Sequence, residues 1–278
     1  MGDRQTSVSA YHFEMADLKR IAADLSDELD ELDGLVSGLT EEQWTTSTPA
    51  KPWTVRDQIA HLAFFDDQAV LALMNPEAFA TSLEQIASDV GAFMNRSVVR
   101  ARSMPGREVI GWWRESRAAV FDAVETLPGD QRIPWYGPPM KPTSFLSARL
   151  MEAFAHGHDI TDGLRTKRAP TDRLRHVAHI GVRAREYAYM ANGLPAPAEE
   201  MRVELIAPSG EVWTWNEDGD ESVTGPGYDF CLVVTRRRHV ADTALVCSGP
   251  SAERWMSIAQ AYAGPPGEGR SPGQFTKG

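Results

Sequence analysis

Glu152 and His156 stand four residues apart in the segment Arg149-Leu-Met-Glu152-Ala-Phe-Ala-His156-Gly-His158-Asp159-Ile160, whose apolar residues recur at helical spacing. Residues at i and i+4 lie one above the other on a helix, so this carboxylate and imidazole can aim at one point in space. A third ligand from another helix would close three sides of a metal site and leave a fourth position to water or substrate, the arrangement of catalytic rather than structural centres. A Glu–His pair at this spacing is also routine on a solvated helix surface. The surrounding pattern opposes the surface reading. Leu146, Leu150, Ala153, Gly157, Ile160 and Leu164 form an apolar stripe, and Glu152, His156 and Asp159 run along its flank. They are expected to look into a bundle.

The elements that must position this pair are mostly helices. From Met15 apolar residues fall at Leu18, Ala22, Leu25, Leu29, Leu32 and Val36, a 3-4 alternation that predicts a long amphipathic helix ended by Gly38. Glu41 to Trp53 reads as an irregular connection whose Trp44 and Trp53 pack at one end of the bundle. Thr54, with Asp57 three residues on, starts a second helix through Val55, Ile59, Leu62 and Leu73. His61 lies on the shoulder of that helix's face beside Gln58 and Phe65. A histidine there is either a hydrogen-bonded core residue or a ligand. A third helix is predicted from Ser82 to about Arg102 and a fourth from Glu108 to Leu127. Pro128 to Thr143, with five prolines and Trp135-Tyr136-Gly137, cannot be helical. It either lines a pocket mouth or makes a surface excursion.

Thr171 to Asn192 predicts one more helix, and Gly193-Leu-Pro-Ala-Pro-Ala then changes the texture. Met201 to Asn216 alternates as a hairpin turned at Ser209-Gly210. Glu217 to Glu221 reads as an acidic turn, Tyr228 to Arg237 as helix or strand, Thr243 to Cys247 as a buried strand, and Ser251 to Ala263 as a helix capped by Ser251. The fold class is α+β. Residues 1–192 form a helical bundle, 200–265 a small α/β domain, and 266–278 a disordered Gly/Pro-rich tail.

Composition narrows the partners. A formal net charge of −11 opposes the basic footprint of a nucleic-acid binder, and Arg236-Arg237-Arg238 is the largest basic run. Two cysteines, Cys231 and Cys247, give neither a disulfide framework nor a thiolate zinc knuckle and are expected to pack as small hydrophobes. No apolar signal core opens the chain and no stretch reaches the roughly 18 apolar residues of a spanning helix, so the expected setting is the cytoplasm. Two short matches, Met1 to Thr6 for myristoylation and Asn95 to Ser97 for glycosylation, are too brief to weigh.

With Trp53-Thr-Val-Arg-Asp-Gln-Ile-Ala-His61-Leu and Glu152-Ala-Phe-Ala-His156-Gly-His-Asp in place, nearly the whole chain resembles the mycothiol-dependent maleylpyruvate isomerase family, part of the DinB-like metal-binding bundles. The stretch from Arg236 to Gly267 looks like the C-terminal part of one of its uncharacterised metal-binding branches. The resemblance implies a DinB-like four-helix bundle followed by a small α/β domain similar to sterol carrier proteins. It places the family's metal triad on His61, Glu152 and His156, and an active-site arginine on Arg237 or Arg238. Asp159 would take a role behind the ligands at most. The cofactors implied are a divalent metal, usually zinc, and the low-molecular-weight thiol mycothiol. Three activities fit: a thiol S-transferase attacking a small electrophile, which we favour; a cis-trans isomerase; and a metal-containing binding protein without catalysis. The oligomeric state is not legible.

Overall fold

In a computed structural model the described residues are 3–86, 89–127 and 131–275, and the chain divides into two compact units, Met1–Lys167 and Arg168–Gly278. No helix among the described residues is long and apolar enough to cross a membrane.

The first unit is helical. Helix α1 runs Asp3–Val36, and Leu18, Leu25, Leu29, Leu32 and Val36 are buried at the expected spacing. A single turn, α2 (Glu41–Trp44), follows with a capping box between Thr40 and Gln43, and buries Trp44. Helix α3 (Val55–Met74) starts at the anticipated box: the Thr54 N–H donates to Asp57 Oδ2 at 2.9 Å, and the Asp57 N–H returns to Thr54 Oγ1. The single helix expected over 82–102 is instead two, α4 (Pro76–Ile86) and α5 (Val90–Ala101). Asp89 starts the second by accepting from the Ala92 N–H at 2.8 Å, which is the usual use of Asp before a helix and not inside one. Helices α6 (Gly106–Glu125) and α7 (Pro142–Leu164) complete the unit, the latter with proline in its first turn, where the missing N–H costs nothing. The long helices α1, α3, α6 and α7 pack on one another, with α3 touching both α6 and α7.

The proline-rich connection is anchored. Ile133 and Met140 pair across it, and Trp135 and Tyr136 fold back on Phe65, Phe79 and Phe93. Trp135 stacks on Phe79 with ring centroids 5.6 Å apart. Of its two readings, a plain surface excursion does not describe it.

The second unit is a helix-flanked sheet. Helices α8 (Leu174–Arg183) and α9 (Arg185–Ala191) belong to it, whereas the expected boundary near 192 grouped them with the bundle. The reason is their apolar face: Leu174, Val177 and Ala178 are buried, and Gly181 lies so close to Val234 that an added Cβ would sit 2.7 Å from it. The hairpin forms as expected, β1 (Met201–Ile206) against β2 (Val212–Trp215), antiparallel. A strand not anticipated, β3 (Glu221–Pro226), pairs parallel to β1, and β4 (Val246–Ser248) closes the order β2-β1-β3-β4. β4 is an edge strand and not the buried one expected, with Val246 61% exposed. The ambiguous run is a helix, α10 (Gly227–Val234), and α11 (Pro250–Ile258) begins before Ser251. Its first N–H groups are satisfied by Glu221 Oε2, 2.7 Å from Ser251 N and 3.0 Å from Ala252 N, so a remote carboxylate does the capping assigned to Ser251.

The tail assigned to disorder is tied down through residue 275. Asp242 accepts from the N–H groups of Gly273 at 2.7 Å and Phe275 at 3.3 Å, and the Arg238 guanidinium lies 3.8 Å from the Phe275 ring centre.

Candidate metal centre

Helices α3 and α7 lie side by side, and this contact brings His61 of α3 to the Glu152–His156 pair of α7. His156 Nε2 is 3.2 Å from Glu152 Oε2, and His61 Nε2 is 4.0 Å from the same oxygen. One donor atom from each residue lies within 4.8 Å of the other two. Ligands at about 2.0–2.2 Å from a tetrahedral zinc are roughly 3.3–3.6 Å apart, so the separations are those of a cation site before small side-chain adjustments. Two imidazole nitrogens and one carboxylate oxygen are the donor set that suits zinc with an open position. The residues therefore fit a divalent metal.

Both histidines are buried and Glu152 is partly so. Burial pushes the Glu152 carboxyl up. The hydrogen bond from His156, then the charges of His156, Arg149 and His61, outweigh it and hold the group at about 2. Aromatic rings wall the triad. Trp53 stacks on His156 with centroids 5.9 Å apart at 18°, and lies 5.0 Å from His61. Phe65 packs on the other side of His61 at 4.5 Å. Trp53, expected only to pack at the end of the bundle, is part of the site's lining.

Behind His156 stands a side chain that the sequence places only beside His61. Gln58, fully buried, places Oε1 2.5 Å from His156 Nδ1. Its Nε2 donates to Thr48 Oγ1 at 2.9 Å, and the Thr48 hydroxyl donates to the Trp53 carbonyl at 2.9 Å. A usable signal was present: an amide one turn before a histidine, in a helix opened by Trp53-Thr54. Asp159, expected behind the ligands, is fully buried on α7 three residues past His156, and the contact on His156 Nδ1 is made by Gln58.

A second buried charge pair sits one turn before Glu152. Arg149 Nη1 lies 3.6 Å from Asp66 Oδ1, both nearly inaccessible, in a cavity also lined by Leu25, Leu62 and Arg117. Burial raises the Asp66 carboxyl to about 7 even though the charge of Arg149 opposes it.

Arg237 and Arg238 belong to the second unit, just after α10. Arg237 Nη1 donates to the Thr235 carbonyl and Arg238 Nη1 to the Arg237 carbonyl, each at 2.7 Å. Arg236 takes the left-handed conformation, φ 61°, and its guanidinium reaches the Gly267 carbonyl at 2.5 Å. Cys231 is buried and its thiol is pushed far up by burial; burial, then Glu253, also raises Cys247.

Comparison with known proteins gives one family model, two curated relatives and a likeness of fold. Residues 25–161 match the profile of the mycothiol maleylpyruvate isomerase N-terminal domain, a span that includes His61, Glu152 and His156 but not the three arginines. Uncharacterised proteins from two strains of Mycobacterium tuberculosis are 40% identical over 257 residues, covering 92% of this chain and 100% of theirs. The crystal structures of mycothiol-dependent maleylpyruvate isomerase and of a mutant of it superpose with TM-score 0.52 at 15% identity, over 82% of this chain and 92% of theirs, which is a likeness of fold.

Proposed function

The chain belongs to the mycothiol maleylpyruvate isomerase N-terminal domain family, and from that premise we propose that it is a metal-dependent thiol S-transferase using mycothiol or a similar small thiol. The observation that carries the reading is the convergence of His61 Nε2, Glu152 Oε2 and His156 Nε2 on one point. A divalent cation held there, zinc by preference for this donor set, supplies the positive charge that favours thiolate over a thiol whose ordinary pKa near 8.5 leaves it mostly protonated.

The chain's own residues do the rest. Glu152 is ionised at neutral pH and brings one negative charge, while the two imidazoles bring neutral donors, so the set stays cationic with its metal and attracts an anionic sulfur. Trp53 and Phe65 cover the flanks of the imidazoles and keep water from them. These aromatic walls suit an apolar electrophile better than a dicarboxylate, and the guanidinium closest in sequence to Glu152, that of Arg149, is committed to Asp66. In the same reading Arg237 or Arg238 takes the family's arginine role. The two units correspond to a DinB-like bundle and a sterol-carrier-like domain, and the setting is cytoplasmic.

Isomerisation is the alternative, favoured by the name of the family and of the solved structures it matches. In a transfer the sulfur displaces a leaving group and stays on the product; in an isomerisation it adds to an activated cis double bond, permits rotation and departs. Incubation of the zinc-loaded protein with mycothiol and either an aryl halide or a cis-dienoate, followed by mass spectrometry, separates them. Transfer gives a thioether whose mass is that of the aryl halide plus the thiol less HX, with equimolar thiol loss and halide release. A product of unchanged mass with the thiol recovered would establish the isomerase instead, and no turnover of either would remove the enzymatic reading.

A further inference from the structure

An imidazole can ligate through Nε2 only while that nitrogen keeps its lone pair, so the site depends on which nitrogen of His156 carries the proton. The Trp53 carbonyl fixes the answer through two side chains. A carbonyl oxygen only accepts, and this one already receives the Thr48 N–H at 2.8 Å. Thr48 Oγ1, 2.9 Å away, must direct its single proton there as well. What Thr48 has left for Gln58 is a lone pair, so the Gln58 amide turns its Nε2 to Thr48 and its Oε1 to His156 Nδ1. An amide oxygen only accepts too, and Nδ1 is therefore the donor. The neutral ring must then carry its lone pair on Nε2, which faces Glu152 Oε2 at 3.2 Å.

We propose that Gln58 is the positioning residue of this centre: with Thr48 and the Trp53 carbonyl it holds the His156 proton on Nδ1 and presents Nε2 as a donor to a cation. The proposal rests on the metal reading above. In the metal-free protein a second proton on Nε2 serves the hydrogen bond to Glu152 Oε2, and a cation takes that proton's place between the two atoms while Nδ1 keeps its own. The loop supplying Thr48 is itself braced: Ser47 and Thr54 pair as a bridge, and the Val55 N–H donates to the Thr46 carbonyl at 3.0 Å. The chain of donors thus starts at fixed backbone and ends at the ligand, the kind of outer support whose loss costs roughly 10- to 100-fold in metal affinity.

The experiment compares wild type with Gln58→Leu, Gln58→Glu and Thr48→Val. Zinc affinity is read by competition with a chromogenic chelator, and His156 protonation by nitrogen-15 NMR of the imidazole in the metal-free protein. In wild type Nδ1 is expected to carry a proton throughout the titration. Gln58→Leu, similar in volume but without an acceptor, is expected to bind zinc roughly 10- to 100-fold more weakly. Gln58→Glu keeps an acceptor on Nδ1 and is expected to stay within about threefold of wild type. In Thr48→Val the amide is free to turn over, and a mixture of His156 tautomers should appear. A side chain that merely fills space would give the opposite order, with Leu tolerated and Glu harmful, and that result overturns the proposal. So does a metal-free wild type in which neutral His156 is protonated on Nε2 alone. If wild type takes up no zinc, the metal reading falls, and the Nδ1 signal still decides the role of Gln58.

Discussion

Asp66 is expected to make the stability of the first unit fall as pH rises, which is the reverse of the usual behaviour of a carboxylate. It is buried between α3 and α7 with Arg149 at 3.6 Å, and its folded value is about 7 against the ordinary 3.8. The sign follows from linkage. The folded state holds a proton that the unfolded chain has released above pH 3.8, so the contribution is fully present below that value and lost as pH rises to about 7. The gap of about three pH units, at roughly 1.4 kcal/mol each, amounts to about 4 kcal/mol in all and about 2–3 kcal/mol between pH 5 and 7. Asp66→Asn removes the titration and keeps the shape. The amide stands in for the protonated carboxyl at every pH, so the quantity to read is how the difference between wild type and variant changes with pH. Urea unfolding with a chelator present, followed by hydrogen exchange on peptides from α3 and α7, reads the first unit separately. The stability of wild type minus that of the variant should fall by about 2–3 kcal/mol from pH 5 to 7. A flat difference would refute the dominance of burial over Arg149, and a rising one would show that the ion pair prevails.

Replacing His61 or His156 by Ala should remove most bound zinc by elemental analysis while circular dichroism stays helical, because the apolar faces of α1, α3, α6 and α7 hold the unit together; full zinc occupancy in either variant would show that the ligands are misassigned. Glu152→Gln should weaken zinc less than either histidine change, since an amide oxygen still coordinates but brings no charge; a loss equal to His156→Ala in the same assay would contradict this. Gly106→Ala would set a Cβ 2.2 Å from the indole of the buried Trp44, and a cost of about 1–3 kcal/mol in urea unfolding is expected; unchanged stability would mean that the indole can yield. Asp242→Ala should release the segment held at Gly273 and Phe275 and speed proteolysis between residues 264 and 275; an unchanged cleavage rate would show that the arginine contacts suffice alone.

Much of the helical unit was legible because its information is local. The 3-4 spacing of Leu18, Leu25, Leu29, Leu32 and Val36, the Thr54–Asp57 box and the proline opening α7 each specify a helix or its start within a few residues. The Glu152–His156 pair was local in the same sense, being one turn of one helix. The second unit was read less well because strands take their identity from remote partners. Glu221 to Pro226 holds a glycine and a proline, which disfavour a strand locally, and only its parallel pairing with Met201–Ile206 makes it one. The same distance separates Glu221 from the helix end it caps, and Asp242 from the tail it holds. Where α8 belongs was equally invisible, since an apolar face declares that it will be buried but not against what.

The sequence by itself determined where the candidate donors lie along their helices: a carboxylate and an imidazole at one-turn spacing on the flank of one, and an imidazole on the shoulder of another. Only the tertiary packing of α3 on α7 decided that His61 Nε2 and His156 Nε2 face the same carboxylate oxygen. It also decided that Gln58 stands against His156 Nδ1, and that Trp53 closes over both rings. The reason is physical: periodicity sets which side of a helix a residue occupies, whereas a coordination centre needs atoms from different helices placed to within an ångström, and that is fixed by how the helices pack.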